Sequence, residues 1–162
     1  DEANYPGHAD FLTTKDETSE FYTKVVDKVT RVCKSFDDRS NPDYVGVIRW
    51  TPGTFMKPHY DSSAKEGIYD LFAALLYLND DFEGGGTTFN WFNRTITPEK
   101  GKLVVFSDTY IGTQVPDPNS MHAAEPVVTG EKWAVNLWFR NREDTNLNYK
   151  EWLKERDIEL EK

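Results

Sequence analysis

His59, Tyr60 and Asp61 set an imidazole and a carboxylate two residues apart, and His122 supplies a second imidazole much later in the chain. On an extended backbone residues i and i+2 project to the same face, so His59 and Asp61 converge without special geometry. Two histidines and one carboxylate, with coordination positions open opposite them, form the facial set that suits a non-haem iron(II) oxygenase, because the open positions admit a co-substrate and O2 together. Taken alone, an H-x-D tripeptide is more often a surface pair or a hydrogen-bonded core group. Context favours ligation here: the chain holds three histidines, and the two used both sit beside predicted strands of one sandwich. His8 falls in an irregular N-terminal stretch and reads as a solvated loop residue. Structural zinc calls for a fourth protein ligand, and no cysteine or further histidine lies nearby to supply it.

Lys132 follows His122 beyond a Thr129-Gly130 turn, where a cation could anchor the remote end of a small dicarboxylate. If that turn closes a two-residue hairpin, position 127 faces 132 and Lys132 lies about five residues, or roughly 17 Å, from His122. Parity then asks for a bulge near Pro126. Asn136 and Trp138 share the face of Lys132, with Trp133, Val135, Leu137 and Phe139 on the opposite one, so Trp138 is placed to line a cavity. The competing reading of Lys132 is an exposed strand lysine.

These residues need a scaffold. Thr14 to Glu17 (T-K-D-E) reads as a capping box. After it, Tyr22, Val25, Val26, Val29, Val32, Cys33 and Phe36 recur at helical steps and predict one apolar stripe laid against a sheet. From Tyr44 onward, short β-branched and aromatic runs broken by Gly, Pro, Asn and Asp predict strands over 44–50, 71–79, 87–90, 94–97, 102–106, 122–128 and 132–139. Tyr149, Trp152 and Leu153 among charges predict a short C-terminal helix. The whole reads as one domain over 1–162, α+β and mainly β, with an N-terminal packing helix.

The balance of 28 acidic against 19 basic residues, a net charge of −9, repels phosphate backbones and argues against a nucleic-acid partner. Cys33 is the only cysteine, so an intramolecular disulfide is excluded and a reducing compartment such as the cytoplasm fits. No apolar run approaches the roughly 20 residues that span a bilayer. The chain opens at Asp1 with neither initiator methionine nor signal peptide, and is expected to be a soluble piece of a longer precursor. Asn93-Arg94-Thr95 matches a glycosylation acceptor and is read as a chance match.

The order and spacing of several motifs resemble the iron(II)- and 2-oxoglutarate-dependent dioxygenases, and most closely the prolyl 4-hydroxylase catalytic domains. They are V-I-R-W-T-P-G from Val47, P-H-Y-D from Pro58, L-L-Y-L-N-D-D-F-E-G-G-G-T-T-F from Leu75, K-G-K-L-V-V-F from Lys100 and M-H-A-A-E-P-V-V-T-G-E-K-W from Met121. The resemblance implies a double-stranded β-helix (jelly roll) and Fe(II) held by His59, Asp61 and His122. It also implies 2-oxoglutarate on the metal with its distal carboxylate on Lys132, and Thr87 and Trp138 beside co-substrate and metal. It further implies O2 as co-substrate, ascorbate as reductant, and a proline-containing peptide or protein as substrate, with 2-oxoglutarate decarboxylated to succinate and CO2. Trp50 and Met56 stand where the family commonly has tyrosines, and Asp70 where arginine is frequent near substrate. Lys132 favours the 4-hydroxylase class over the similar prolyl 3-hydroxylases, which generally place arginine there. A different substrate for the same chemistry, or a non-catalytic metal-binding jelly-roll module, are the alternatives.

Overall fold

Alternation along the strands decides the architecture. The computed structural model describes residues 12–13, 20, 22–61 and 69–141; the predicted capping box and C-terminal helix lie outside these. Among the described residues the strands are, in chain order, β1 (Leu12–Thr13), β2 (Asn41–Trp50), β3 (Met56–His59), β4 (Asp70–Tyr77), β5 (Glu83–Gly84), β6 (Thr87–Phe89), β7 (Arg94–Ile96), β8 (Leu103–Ser107), β9 (His122–Ala124), β10 (Val127–Thr129) and β11 (Lys132–Arg140). They form an antiparallel five-stranded sheet β1-β2-β11-β4-β8, a four-stranded sheet β3-β9-β6-β7, and the pair β10-β5.

One face of the large sheet is largely apolar. Val135 stands opposite Val47 and Leu76, and Leu137 opposite Val45 and Ala74. Against this face packs the helix α1 (Asp27–Phe36), entered through a π-turn at Tyr22–Val26, with Val26, Val29 and Cys33 buried. Burial of each such side chain contributes about 1.5–3 kcal/mol. The stripe is narrower than the periodicity predicts, since Val32 and Phe36 stay 42% and 58% exposed. Phe36, at the last position of the helix, meets the sheet only where its ring lies 6.4 Å from that of Phe72.

The other face of the large sheet looks toward the small one. Phe106 of β8 meets Phe89 of β6 edge-on at 5.0 Å and the ring of His122 at 4.8 Å. Among the described residues no helix is long and apolar enough to cross a membrane.

The expected strand over 122–128 is two strands in different partnerships: β9 pairs with β3 and β6, whereas β10 pairs with β5. The break falls at Pro126, which has no N–H to give a ladder and whose carbonyl accepts from Gly85 at 2.9 Å. The Val127 N–H turns instead to the carbonyl of Thr54. Gly84 permits this crossing, because at φ +78° an added Cβ would come 2.3 Å from the Pro126 oxygen. Position 127 therefore does not face Lys132, whose partner is Trp50. Asp70 is fully buried. Arg140 donates Nε–H to its Oδ1 at 2.8 Å and pairs with Asp43 at 3.0 Å.

Candidate metal centre

Between the pairs Met56–Ala124 and His59–His122, strand β3 carries one residue more than β9. The bulge falls at Lys57-Pro58, where a proline costs no ladder bond. It sets His59 directly opposite His122, their ring centroids 4.3 Å apart. Tyr60, 42% exposed, points outward between two inward neighbours, which is the alternation that returns Asp61 to the site.

His59 Nδ1 lies 2.8 Å from the carbonyl oxygen of Lys57, and His122 Nδ1 lies 2.9 Å from that of Ser120. A carbonyl only accepts, so each Nδ1 carries the proton and each Nε2 presents a lone pair. Those Nε2 atoms stand 3.4 Å and 3.9 Å from the two oxygens of Asp61. One ligand atom from each of the three residues fits within 4.8 Å of the others, a spacing that can hold a metal ion. Trp138 donates Nε1–H to Asp61 Oδ2 at 3.0 Å, orienting the carboxylate from behind. Burial by itself raises the Asp61 carboxyl, but His59, His122 and Trp138 outweigh it and hold the group below its usual range. Burial pulls His122 down against the attraction of Asp61, while in His59 that attraction overcomes burial and raises the ring.

A cleft enclosing about 790 Å³, solvent at its mouth included, runs from these ligands between the sheets and is lined also by Trp50, Thr87, Asn136 and Lys132. Lys132 and Trp50 pair at one end of the large sheet and Thr87 opens β6, whereas His59 closes β3 and Trp138 lies toward the far end of β11. The cleft is thus polarised, cation at one end and candidate metal ligands at the other.

Lys132 is 2% exposed. Its Nζ donates to the Gly85 carbonyl at 2.6 Å and sits 5.3 Å from the ring centroids of both Trp50 and Tyr77. An ammonium has three donors, and among the described residues the other two find no acceptor. Burial lowers its pKa to about 8. A buried cation without a carboxylate partner is costly, and an anion brought by a ligand offsets that cost. This orphaned charge, across the cleft from a three-ligand metal cluster, fits a dicarboxylate that also chelates the metal.

The backbone around Lys132 is clamped by Asn79, whose side chain donates to the Glu131 carbonyl and accepts from the Trp133 N–H, at 2.7 Å each. Tyr77, fully buried, holds Thr87 Oγ1 by a 2.7 Å hydrogen bond. Neither Tyr77 nor Asn79 stood out in the sequence as a site residue. Parity along β4 puts Tyr77 with Ala73 and Leu75, but the pairing with β11 decides which way that set faces.

Residues 45–140, more than half of the chain, match the family model described as the 2OG-Fe(II) oxygenase superfamily. A putative prolyl 4-hydroxylase of Acanthamoeba polyphaga mimivirus is 34% identical over 122 residues, covering 68% of this chain and 50% of its own. Prolyl 4-hydroxylase 1 of Arabidopsis thaliana is 32% identical over 120 residues, covering 63% and 42% respectively. The chain thus spans half or less of these curated relatives. Among solved structures, the viral collagen prolyl hydroxylase of Paramecium Bursaria Chlorella virus-1, in complex with 2-oxoglutarate, superposes with a TM-score of 0.75 at 28% identity, over 82% of this chain and 79% of that one. The mainly-β arrangement of antiparallel sheets with one N-terminal helix is similar to that enzyme.

Proposed function

The chain belongs to the 2OG-Fe(II) oxygenase superfamily, and from that premise we propose that it is a dioxygenase domain that hydroxylates prolyl residues, at the 4-position, in a peptide or protein. The observation that carries this reading is the pairing, across one cleft, of the His59–Asp61–His122 cluster with the buried ammonium of Lys132. We read the two facing sheets as a double-stranded β-helix and residues 1–162 as a single such domain.

His59, Asp61 and His122 would hold Fe(II) through two imidazole Nε2 atoms and a carboxylate. Bound there with 2-oxoglutarate and O2, the iron supplies the oxidation, with succinate and CO2 as by-products and ascorbate as the reductant that keeps it ferrous. Trp138 keeps Asp61 turned toward the metal position. Lys132 binds the distal carboxylate of 2-oxoglutarate, with Thr87, steadied by Tyr77, beside it. Trp50 supplies an apolar wall and a ring face to Lys132, which excludes water from that end. Tyr60, Trp91 and Phe92, all exposed, lie on connections at the metal end of the small sheet, where a peptide reaches the site.

The test is 2-oxoglutarate decarboxylation with proline-rich peptides, read together with a +16 Da product located by tandem mass spectrometry and about one succinate per hydroxyl. Absence of peptide-stimulated turnover in iron-loaded protein would overturn the reading. A +16 Da shift on a residue other than proline would move the substrate assignment while keeping the chemistry.

A further inference from the structure

Asn136 lies on the cleft face of β11, four residues beyond Lys132 and two before Trp138. Its neighbours across the sheet are Gly46 on one side, which has no side chain to fill the space, and Leu75 on the other, which has no polar group to offer. Its Oδ1 is buried and, among the described residues, makes no hydrogen bond. A primary amide carries two donors and an acceptor, and a half turn about its last torsion exchanges them at little steric cost. Burying its oxygen unpaired costs free energy that an apolar residue of similar size would not. On a strand whose other face is uniformly apolar, an amide retained in a metal-lined cleft calls for a partner that arrives with the ligand.

We propose that Asn136 is a binding residue for the co-substrate, its amide N–H donating to the metal-chelating keto-acid end of 2-oxoglutarate while Lys132 takes the distal carboxylate. Strand geometry supports this division. At strand rise the Cα atoms of Lys132 and Asn136 are roughly 13 Å apart, and Trp138, two residues further, already touches Asp61. Asn136 is therefore the cleft-facing side chain next to the metal position, and Lys132 reaches toward the same space from the closed end. The proposal rests on the 2-oxoglutarate reading above.

The test measures ligand affinity rather than turnover. Wild type, N136L, N136D and K132A are loaded anaerobically with Fe(II) and titrated with 2-oxoglutarate, following the visible charge-transfer band of an α-keto acid on iron. Manganese-loaded samples are titrated calorimetrically with oxalate, a chelator with no distal carboxylate. N136L should weaken 2-oxoglutarate and oxalate alike, by about tenfold or more, as expected for a lost hydrogen bond to a charged group. N136D, which keeps the shape but repels an anion, should weaken both further. K132A should weaken 2-oxoglutarate and spare oxalate. Thermal unfolding of the empty proteins should show N136L no less stable than wild type, because the buried oxygen without a partner is gone. If N136L and N136D bind both ligands within about twofold of wild type, Asn136 is a structural residue and the inference is overturned. If wild type gives no charge-transfer band, the 2-oxoglutarate reading itself has failed, an outcome separate from failure at Asn136.

Discussion

Strand β11 has two faces that do opposite things with the same burial. Val135, Leu137 and Phe139 are fully buried against the helix and its neighbouring strands, and every atom they remove from water stabilises the fold. Lys132 and Trp138 are nearly as buried on the other face, yet Lys132 carries a charge with one hydrogen bond and Trp138 commits its N–H to the Asp61 carboxylate, a candidate metal ligand. One face lowers the free energy of the empty protein, and the other holds unfavourable charge that a ligand relieves. Substitutions on the two faces should therefore separate stability from function.

The largest separation is expected at the metal end. Asp61→Ala should reduce Fe(II) affinity by well over the roughly 100-fold that loss of an outer-shell partner costs, with metal content by atomic emission falling to background and turnover lost. Its unfolding temperature should fall modestly, because His59, His122 and Trp138 hold the folded carboxylate below its usual range and the substitution removes those contacts. On the helix face Phe139→Ala should cost about 3–5 kcal/mol in denaturant unfolding. Whatever remains folded should bind 2-oxoglutarate normally, and loss of affinity in folded material would break the comparison.

Lys132→Ala should weaken 2-oxoglutarate by about 100-fold, as for loss of a charge-assisted hydrogen bond. It should leave the empty protein as stable or more so, because it removes a buried ammonium that has no carboxylate partner among the described residues. The sign follows from protonation: burial lowers the pKa to about 8 from 10.5, so the folded state disfavours the proton and stability of the empty protein rises with pH between those values. Binding runs the other way. The cation is present below pH about 8 and lost above it, so kcat/KM for 2-oxoglutarate should be flat at lower pH and fall by up to about tenfold per unit above. The same profile in Lys132→Arg should stay flat, because a guanidinium does not titrate there. The smallest effect is expected from Trp138→Phe, about tenfold in metal affinity from the lost hydrogen bond to Asp61.

Much of the cleft was legible in the residues alone. The i, i+2 spacing of His59 and Asp61 already implied a shared face, and the parity of 132, 136 and 138 already separated a polar set from Trp133, Val135, Leu137 and Phe139. Helix periodicity found Val26, Val29 and Cys33, but a stripe of side chains does not show where a helix overhangs its sheet, and Val32 and Phe36 proved exposed. The hairpin drawn through Thr129-Gly130 was wrong because local turn signals cannot show that β10 leaves β9 for β5 at Pro126. Met56–His59 was not read as a strand, since Pro58 and an exposed lysine disguise an edge with a bulge. Asp70, standing where the resembled family frequently has an arginine, is bound to a buried arginine seventy residues away in sequence.

Sequence by itself determined the candidate ligand types, which residues of β11 share a face and the turns that need glycine, because these follow from side-chain chemistry and from local backbone sterics. Tertiary structure decided which strands meet. His122 arrives opposite His59 through a bulge in β3, Lys132 faces the ligands from the other sheet, and Asn79 grips both sides of it across the β4–β11 edge. Those contacts join residues far apart in the chain, and they exist only because burial of the two sheets against each other and against α1 fixes a single register.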